Sequence, residues 1–134
     1  MSDARDVQRD RQTALVLWIL LALDVILAIV ALGVPEIWFR IVHGTPVPAE
    51  VLYVRRTGAQ WAGFALVQAI AIVRWRKDAR WLAAVAGVRL CDVFTDLTAL
   101  TLMHERTAFA WVALLATGPG NVAIARLLFR RAKR

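Results

Sequence analysis

The sequence holds little of what soluble chemistry needs. Cysteine occurs once, as Cys91, which excludes an intrachain disulfide and offers no CxxC or Cys/His cluster to a metal. Histidine occurs twice, as His43 and His104, too sparsely for haem or di-metal ligation, which draws on His pairs from facing helices. No glycine-rich phosphate loop, Ser/His/Asp arrangement or nucleophile motif is present. His104-Glu105-Arg106 reads as a tight external turn and not as a HExxH zinc site. No catalytic residue and no metal ligand is therefore assigned, and no cofactor can be named. Negative charge is scarce too, with ten Asp and Glu against 17 Lys and Arg and a net charge of +7. A basic excess of this kind points to nucleic acid when a soluble basic face carries it. Here no soluble module is left over, and nucleic acid is not expected as a partner.

What is present is apolar. Hydrophobic residues make up 60% of the 134, and the mean hydropathy is +0.57. A soluble domain is about 45–50% apolar with its charges spread along the chain. Here the charges sit in short blocks between long apolar runs, because hydrocarbon excludes charge and the water-facing ends collect it. Four spans are predicted over about 13–33, 50–73, 81–103 and 107–129. Each has room for the ~20 helical residues that cross ~30 Å of hydrocarbon. The second is short by hydropathy alone, and is extended by an amphipathic turn that starts near Pro48. The first follows a tail of three acids and three arginines and lacks an A-x-A exit, so it reads as a retained helix and not as a cleaved signal. The expected fold is all-α: an integral membrane four-helix bundle forming one domain over 1–134. A short interfacial helix is expected outside, in the segment that opens at Pro35 and closes at Gly44, with Trp38, Ile41 and Val42 on one face.

Orientation follows from Lys and Arg. The N-terminal tail, the 74–80 loop and the stretch from Arg126 carry 12 of them, the other two connections carry 4, and Arg89 lies within a span. The positive-inside rule then puts both termini in the cytoplasm.

The third span is the informative one. At 100° per residue, Arg89, Asp92 and Asp96 fall within an arc of about 60°. Ala83, Gly87, Cys91, Thr95 and Ala99 form a ladder of small residues roughly 130° away, a helix-packing face that lets a neighbouring helix approach closely. Leu82, Ala86, Leu90, Val93, Leu97 and Leu100 are expected to meet lipid. Three mid-helix charges cost about 8–10 kcal/mol on the insertion scale, and the apolar residues of the span return about 3–5. The charges must therefore be paired, neutralised or hydrated inside the bundle. Counting depth at ~1.5 Å per residue sets Asp24 of the first span level with Asp92 and within reach of Arg89. The predicted site is thus a buried polar network of Asp24, Arg89 and Asp92 with Gln68 and Asn121 around it. Three carboxylates outnumber the one arginine, so at least one is expected to be protonated, hydrated from outside or matched by something bound. Asp96 is expected near the external interface, where Arg56 could meet it.

The fourth span contains Gly118-Pro119-Gly120, where a kink or break is expected, because proline removes an intrahelical bond and glycine lowers the cost of bending. Arg55-Arg56-Thr57-Gly58 opens the second span as R-x-x-G, and Arg89-Leu90-Cys91-Asp92 gives R-x-x-D in the third. With the four-span plan and the Pro-rich external segment, the chain resembles, in outline and over most of its length, the small bacterial membrane proteins of the DoxX-like type. Sterol-binding EXPERA proteins and four-span scaffolds of sterol enzymes look similar in plan. The resemblance implies the bacterial inner membrane and an accessory or ligand-holding role, and it transfers no catalytic residue. The leading expectation is a small non-enzymatic subunit or scaffold of a larger membrane complex. Its partners would be the bilayer, other membrane subunits or a second copy, with lipid or another hydrophobic molecule in its grooves. A transporter or proton-coupled component using the buried Asp and Arg is the alternative, and an integral membrane enzyme the third.

Overall fold

The computed structural model describes residues 2–48 and 51–133. Residues 49 and 50, where the second span is expected to begin, lie outside the described residues. Among those described there are five α-helices and no strand: α1 (Ser2–Gly33), α2 (Pro35–Trp38), α3 (Leu52–Arg74), α4 (Arg80–Leu102) and α5 (Ala108–Ala132). A π-helical turn, Phe39–His43, continues α2.

Two helical stretches, Asp6–Gly33 and Ala108–Ala132, are long and apolar enough to cross a membrane. The helices at the second and third expected spans are also long, at 23 residues each, but are not apolar enough to qualify. Gln60, Gln68 and the flanking arginines lower α3, and Arg89, Asp92 and Asp96 lower α4. α1 starts well before its apolar run, so the polar tail is helical. At ~1.5 Å per residue its 32 residues reach about 48 Å, longer than a bilayer core.

α1 packs along α3, and α4 along α5; α3 meets α4 over a smaller area. The apolar core joins the two pairs at the end that carries the 75–79 turn. There Leu17 and Leu20 of α1, Ala71 and Trp75, Leu82, Val85 and Ala86 of α4, and Ala125 and Leu128 of α5 are buried together. At the opposite end α1 and α3 come close because residue 58 is glycine. A Cβ there would stand 2.9 Å from Ala31 Cβ and from Leu32 Cγ.

The 35–44 segment behaves as its end residues predict. Pro35 fills the first helical turn, where no N–H is needed. Gly44 closes the segment in the left-handed region at φ 72°, and its N–H bonds Phe39 O at 2.9 Å. The inward face differs from the expected one: Pro35 and Phe39 are buried, Trp38 rests 5.1 Å from the Trp61 ring, and Ile41 points out. Thr107 holds this segment to α5. Its hydroxyl donates to Ile41 O and accepts from Ala110 N, so one side chain caps α5 and ties down the turn. A cap of this kind contributes about 1 kcal/mol. The 75–79 turn is fixed by Asp78, which accepts from the Arg80 backbone N–H at 3.1 Å and from its guanidinium at 2.9 and 3.0 Å.

Candidate functional site

The polar groups of three helices meet inside the bundle. Asp24 of α1, Gln68 of α3 and Arg89 of α4 are 1%, 0% and 1% exposed, and Asp92 is 9% exposed. Among the described residues Arg89 is the largest fully buried side chain. Its Nη2 donates to Asp24 Oδ2 at 2.5 Å, and Gln68 Nε2 donates to the same oxygen at 2.6 Å. Its Nη1 forms an ion pair with Asp92 Oδ2 at 3.0 Å, three residues on in the same helix. Phe64 of α3 lines the guanidinium, with its ring centre 5.8 Å away.

This geometry follows from the helical rise and turn. Asp92 lies about 60° around α4 from Arg89, so one guanidinium spans to its own helix and to α1 at once. Gln68 lets α3 join without adding a charge. Burial sharpens the consequences. In a low-dielectric interior a charge-assisted bond is strong, and a charge without its partner is costly. Asp24 Oδ1, Gln68 Oε1 and Arg89 Nε have no hydrogen-bond partner among the described residues. The site thus presents two acceptor oxygens and one donor beyond the bonds it makes.

The rest of the charged face of α4 turns to α5. Asp96 accepts from Thr117 Oγ1 at 2.8 Å. It does not meet Arg56, which is exposed on α3. Asn121 is half-buried on α5, one turn past Thr117, and joins none of these bonds. Asp24, Gln68, Arg89 and Asp92 are therefore brought together, and Asp96 and Asn121 stand outside that cluster.

The expected lipid face of α4 needs correction, and the small-residue ladder is largely open among the described residues. Cys91 and Thr95 are exposed, Ala83 and Ala99 are half-buried, and no atom lies within 4 Å of a Cβ placed at Gly87. Leu82 and Ala86, expected to meet lipid, are 1% and 0% exposed in the core. The physical reason is that Arg89 must point inward, and Leu82, Val85 and Ala86 share its side of the helix. α5 is helical from Ala108 to Ala132 with Pro119 inside it, so the chain does not break at Gly118-Pro119-Gly120. The 103–106 turn carries local bonding: Arg106 donates to Leu100 O at 2.9 Å and stands 4.0 Å over the Trp111 ring.

Sequence reading missed Thr117 and Thr107. Thr107 had a signal, a hydroxyl residue immediately before an apolar helical run, as an N-cap has. Thr117 had none, because its role depends on how α5 is rotated.

No family model, no curated protein and no solved structure matches this chain. In the fold, Gly58 is the close contact of α1 with α3, and Arg89 with Asp92 forms half of the buried network.

Proposed function

We propose that this protein is a small integral membrane protein whose four long helices cross the bilayer with both ends in the cytoplasm, acting as a non-enzymatic accessory subunit of a larger membrane assembly. The observation that carries this reading is the pairing of a buried charged network with large apolar side chains left outside. Arg89, Asp24 and Gln68 are buried beside the apolar core, while Leu15, Trp18, Ile26, Phe109, Val112 and Leu115 are between 57% and 68% exposed. In water such an arrangement would forfeit about 1.5–3 kcal/mol for each large apolar side chain left out. In hydrocarbon it is the favoured one, and the internal pairing of Arg89 lowers the cost of carrying α4 across. The 34–48 segment then lies on the outer surface, and the Arg- and Lys-rich turn and termini on the inner.

The accessory role is supported by the open stripe of α4, where Gly87, Cys91 and Thr95 leave a strip that another helix can approach closely. Membrane fractionation with reporter fusions at residue 45 and at the C-terminus tests the topology. Retention after an alkaline wash, with only the C-terminal reporter cytoplasmic, is expected. Recovery in the soluble fraction without detergent would end this reading.

A second reading, a proton-coupled or transport component, is favoured by one observation. Asp92 and Asp96 continue the polar face from the buried cluster toward Thr117, which is exposed on α5. Flux that is unchanged in Asp92→Asn would remove it.

A further inference from the structure

The C-terminal part of α5 bears on what lies against the protein. A groove of about 330 Å³ runs between α4 and α5. Leu90, Val122 and Phe129 line its apolar part, and Arg126, Arg130 and Lys133 line its end. The three cations follow at i, i+4 and i+7, within an arc of about 60° on one helix face. Val122, one turn deeper, lies on the same side.

Among the described residues these charges have no counterpart. No Asp or Glu occurs after Glu105. Among the described residues, Arg126, Arg130 and Lys133 enter no ion pair, whereas Arg9 pairs with Asp6, Arg76 with Asp10 and Arg80 with Asp78. A second, larger cavity at the same end, about 630 Å³, is lined by Arg9, Arg76 and Arg131, but also by Asp6 and Asp10, so its charge is largely met within the chain. Like charges at i and i+4 repel, and the helix C-terminus offsets only part of that.

We propose that the α4–α5 groove is a binding site for an anionic phospholipid of the cytoplasmic leaflet, its phosphate held by Arg126, Arg130 and Lys133 and an acyl chain laid along Leu90, Val122 and Phe129. This rests on the membrane reading above, which sets these residues at the inner interface. The apolar floor selects lipid over a free phosphate, which would touch the cations alone. The unmatched positive charge selects an anionic headgroup over a zwitterionic one, as basic pockets between helices on the cytoplasmic side do.

The test uses the full chain in mild detergent, titrated separately with phosphatidylglycerol, phosphatidylcholine and inorganic phosphate, and read by native mass spectrometry and thermal shift. Phosphatidylglycerol should bind and raise the melting temperature, while phosphatidylcholine and phosphate should not. Each surface cation is worth about a fivefold preference, so Arg126→Gln/Arg130→Gln/Lys133→Gln should weaken that binding on the order of 100-fold. Arg126→Lys/Arg130→Lys keeps the charge and should retain most of it. All three side chains are exposed, so none of these variants removes a core contact. Equal binding of phosphatidylcholine, an equal shift with phosphate, an unchanged triple variant, or an acidic protein occupying the groove to the exclusion of lipid would overturn the site. A detergent-requiring protein without lipid preference loses only this site. A protein soluble without detergent loses the membrane reading as well.

Discussion

Arg89 and Asp24 meet at 2.5 Å although 65 positions separate them in the chain, and both are almost wholly withdrawn from the surface. That contact joins α1 to α4 and, through Gln68, to α3. A buried pair of this kind adds little net stability over well-packed apolar residues, but it is severe to break. Arg89→Leu leaves Asp24 and Asp92 facing each other without a cation. A loss of about 3–5 kcal/mol is expected, seen as low folded yield and a lowered melting temperature in detergent. Asp24→Leu/Arg89→Leu/Asp92→Leu removes all three charges and should recover much of that loss. If Arg89→Leu alone melts like the parent, the network is not what holds the helices in register.

The closeness of α1 and α3 yields a second expectation. Gly58→Ala puts a methyl 2.9 Å from Ala31 Cβ and Leu32 Cγ, and the backbone N of Leu32 is only 3.2 Å away. The helices have to separate, at a cost of about 1–3 kcal/mol. Gly63→Ala, five residues on in the same helix, meets nothing within 4 Å and should gain about 0.5–1 kcal/mol from helix propensity. Thermal unfolding of the two variants side by side checks the contrast, and equal behaviour would contradict the contact.

What was legible in the sequence, and what was not, divides along one physical line. Depth in a helix is set by a fixed rise per residue, so counting along the spans sets Asp24 level with Asp92 and within reach of Arg89, and in the structure Arg89 pairs with both. Rotation about the helix axis is set by packing, and hydropathy cannot read it in such a chain. Leu82 and Ala86 suit lipid and core equally well, which is why their burial was misjudged. The same limit explains Asn121, which has the right depth and joins no bond, and Asp96, which turns to Thr117 and not to Arg56. Helix ends were readable where one residue type decides them, as at Pro35 and Gly44. The π-helical turn between them left no such mark.

Outside the helices' middle sections, pH acts on Asp78. The hydrogen bonds from the Arg80 guanidinium and backbone hold the Asp78 carboxyl below its ordinary value of 3.8, and the carboxylate in turn raises Arg80. A carboxyl depressed in the folded state stabilises the fold above its unfolded pKa, and that contribution is lost as pH falls through the folded value. The 75–79 turn should therefore loosen only in acid below about pH 3.8. Asp78 is solvent-screened, so a carbon-detected titration is the sensitive measurement rather than stability. Arg80→Ala removes the guanidinium and keeps the backbone N–H, so it should raise the Asp78 midpoint toward the ordinary range, and a midpoint that stays put would assign the shift to some other group.

The last expectation concerns the open stripe of α4. Gly87, Cys91 and Thr95 recur at every fourth position; Cys91 and Thr95 are exposed, Gly87 is half-buried, and no other described element comes within 4 Å of a Cβ placed at Gly87. Small residues at this spacing bring helix backbones together in a bilayer, where van der Waals contact and hydrogen bonds drive association in place of the hydrophobic effect. Gly87→Leu separates folding from assembly. Within one chain the new side chain meets open space at its Cβ and replaces a poor helix former by a good one, so the melting temperature of the isolated protein should not fall. Against a second helix the same side chain blocks close approach. In mild detergent the parent protein should run in a complex larger than one chain, and Gly87→Leu should run as a monomer of normal stability. Native mass spectrometry and size-exclusion chromatography read both quantities on the same sample. A variant that stays in the complex frees α4 from the docking role, and a parent protein that is itself a solitary monodisperse monomer removes the accessory-subunit reading altogether.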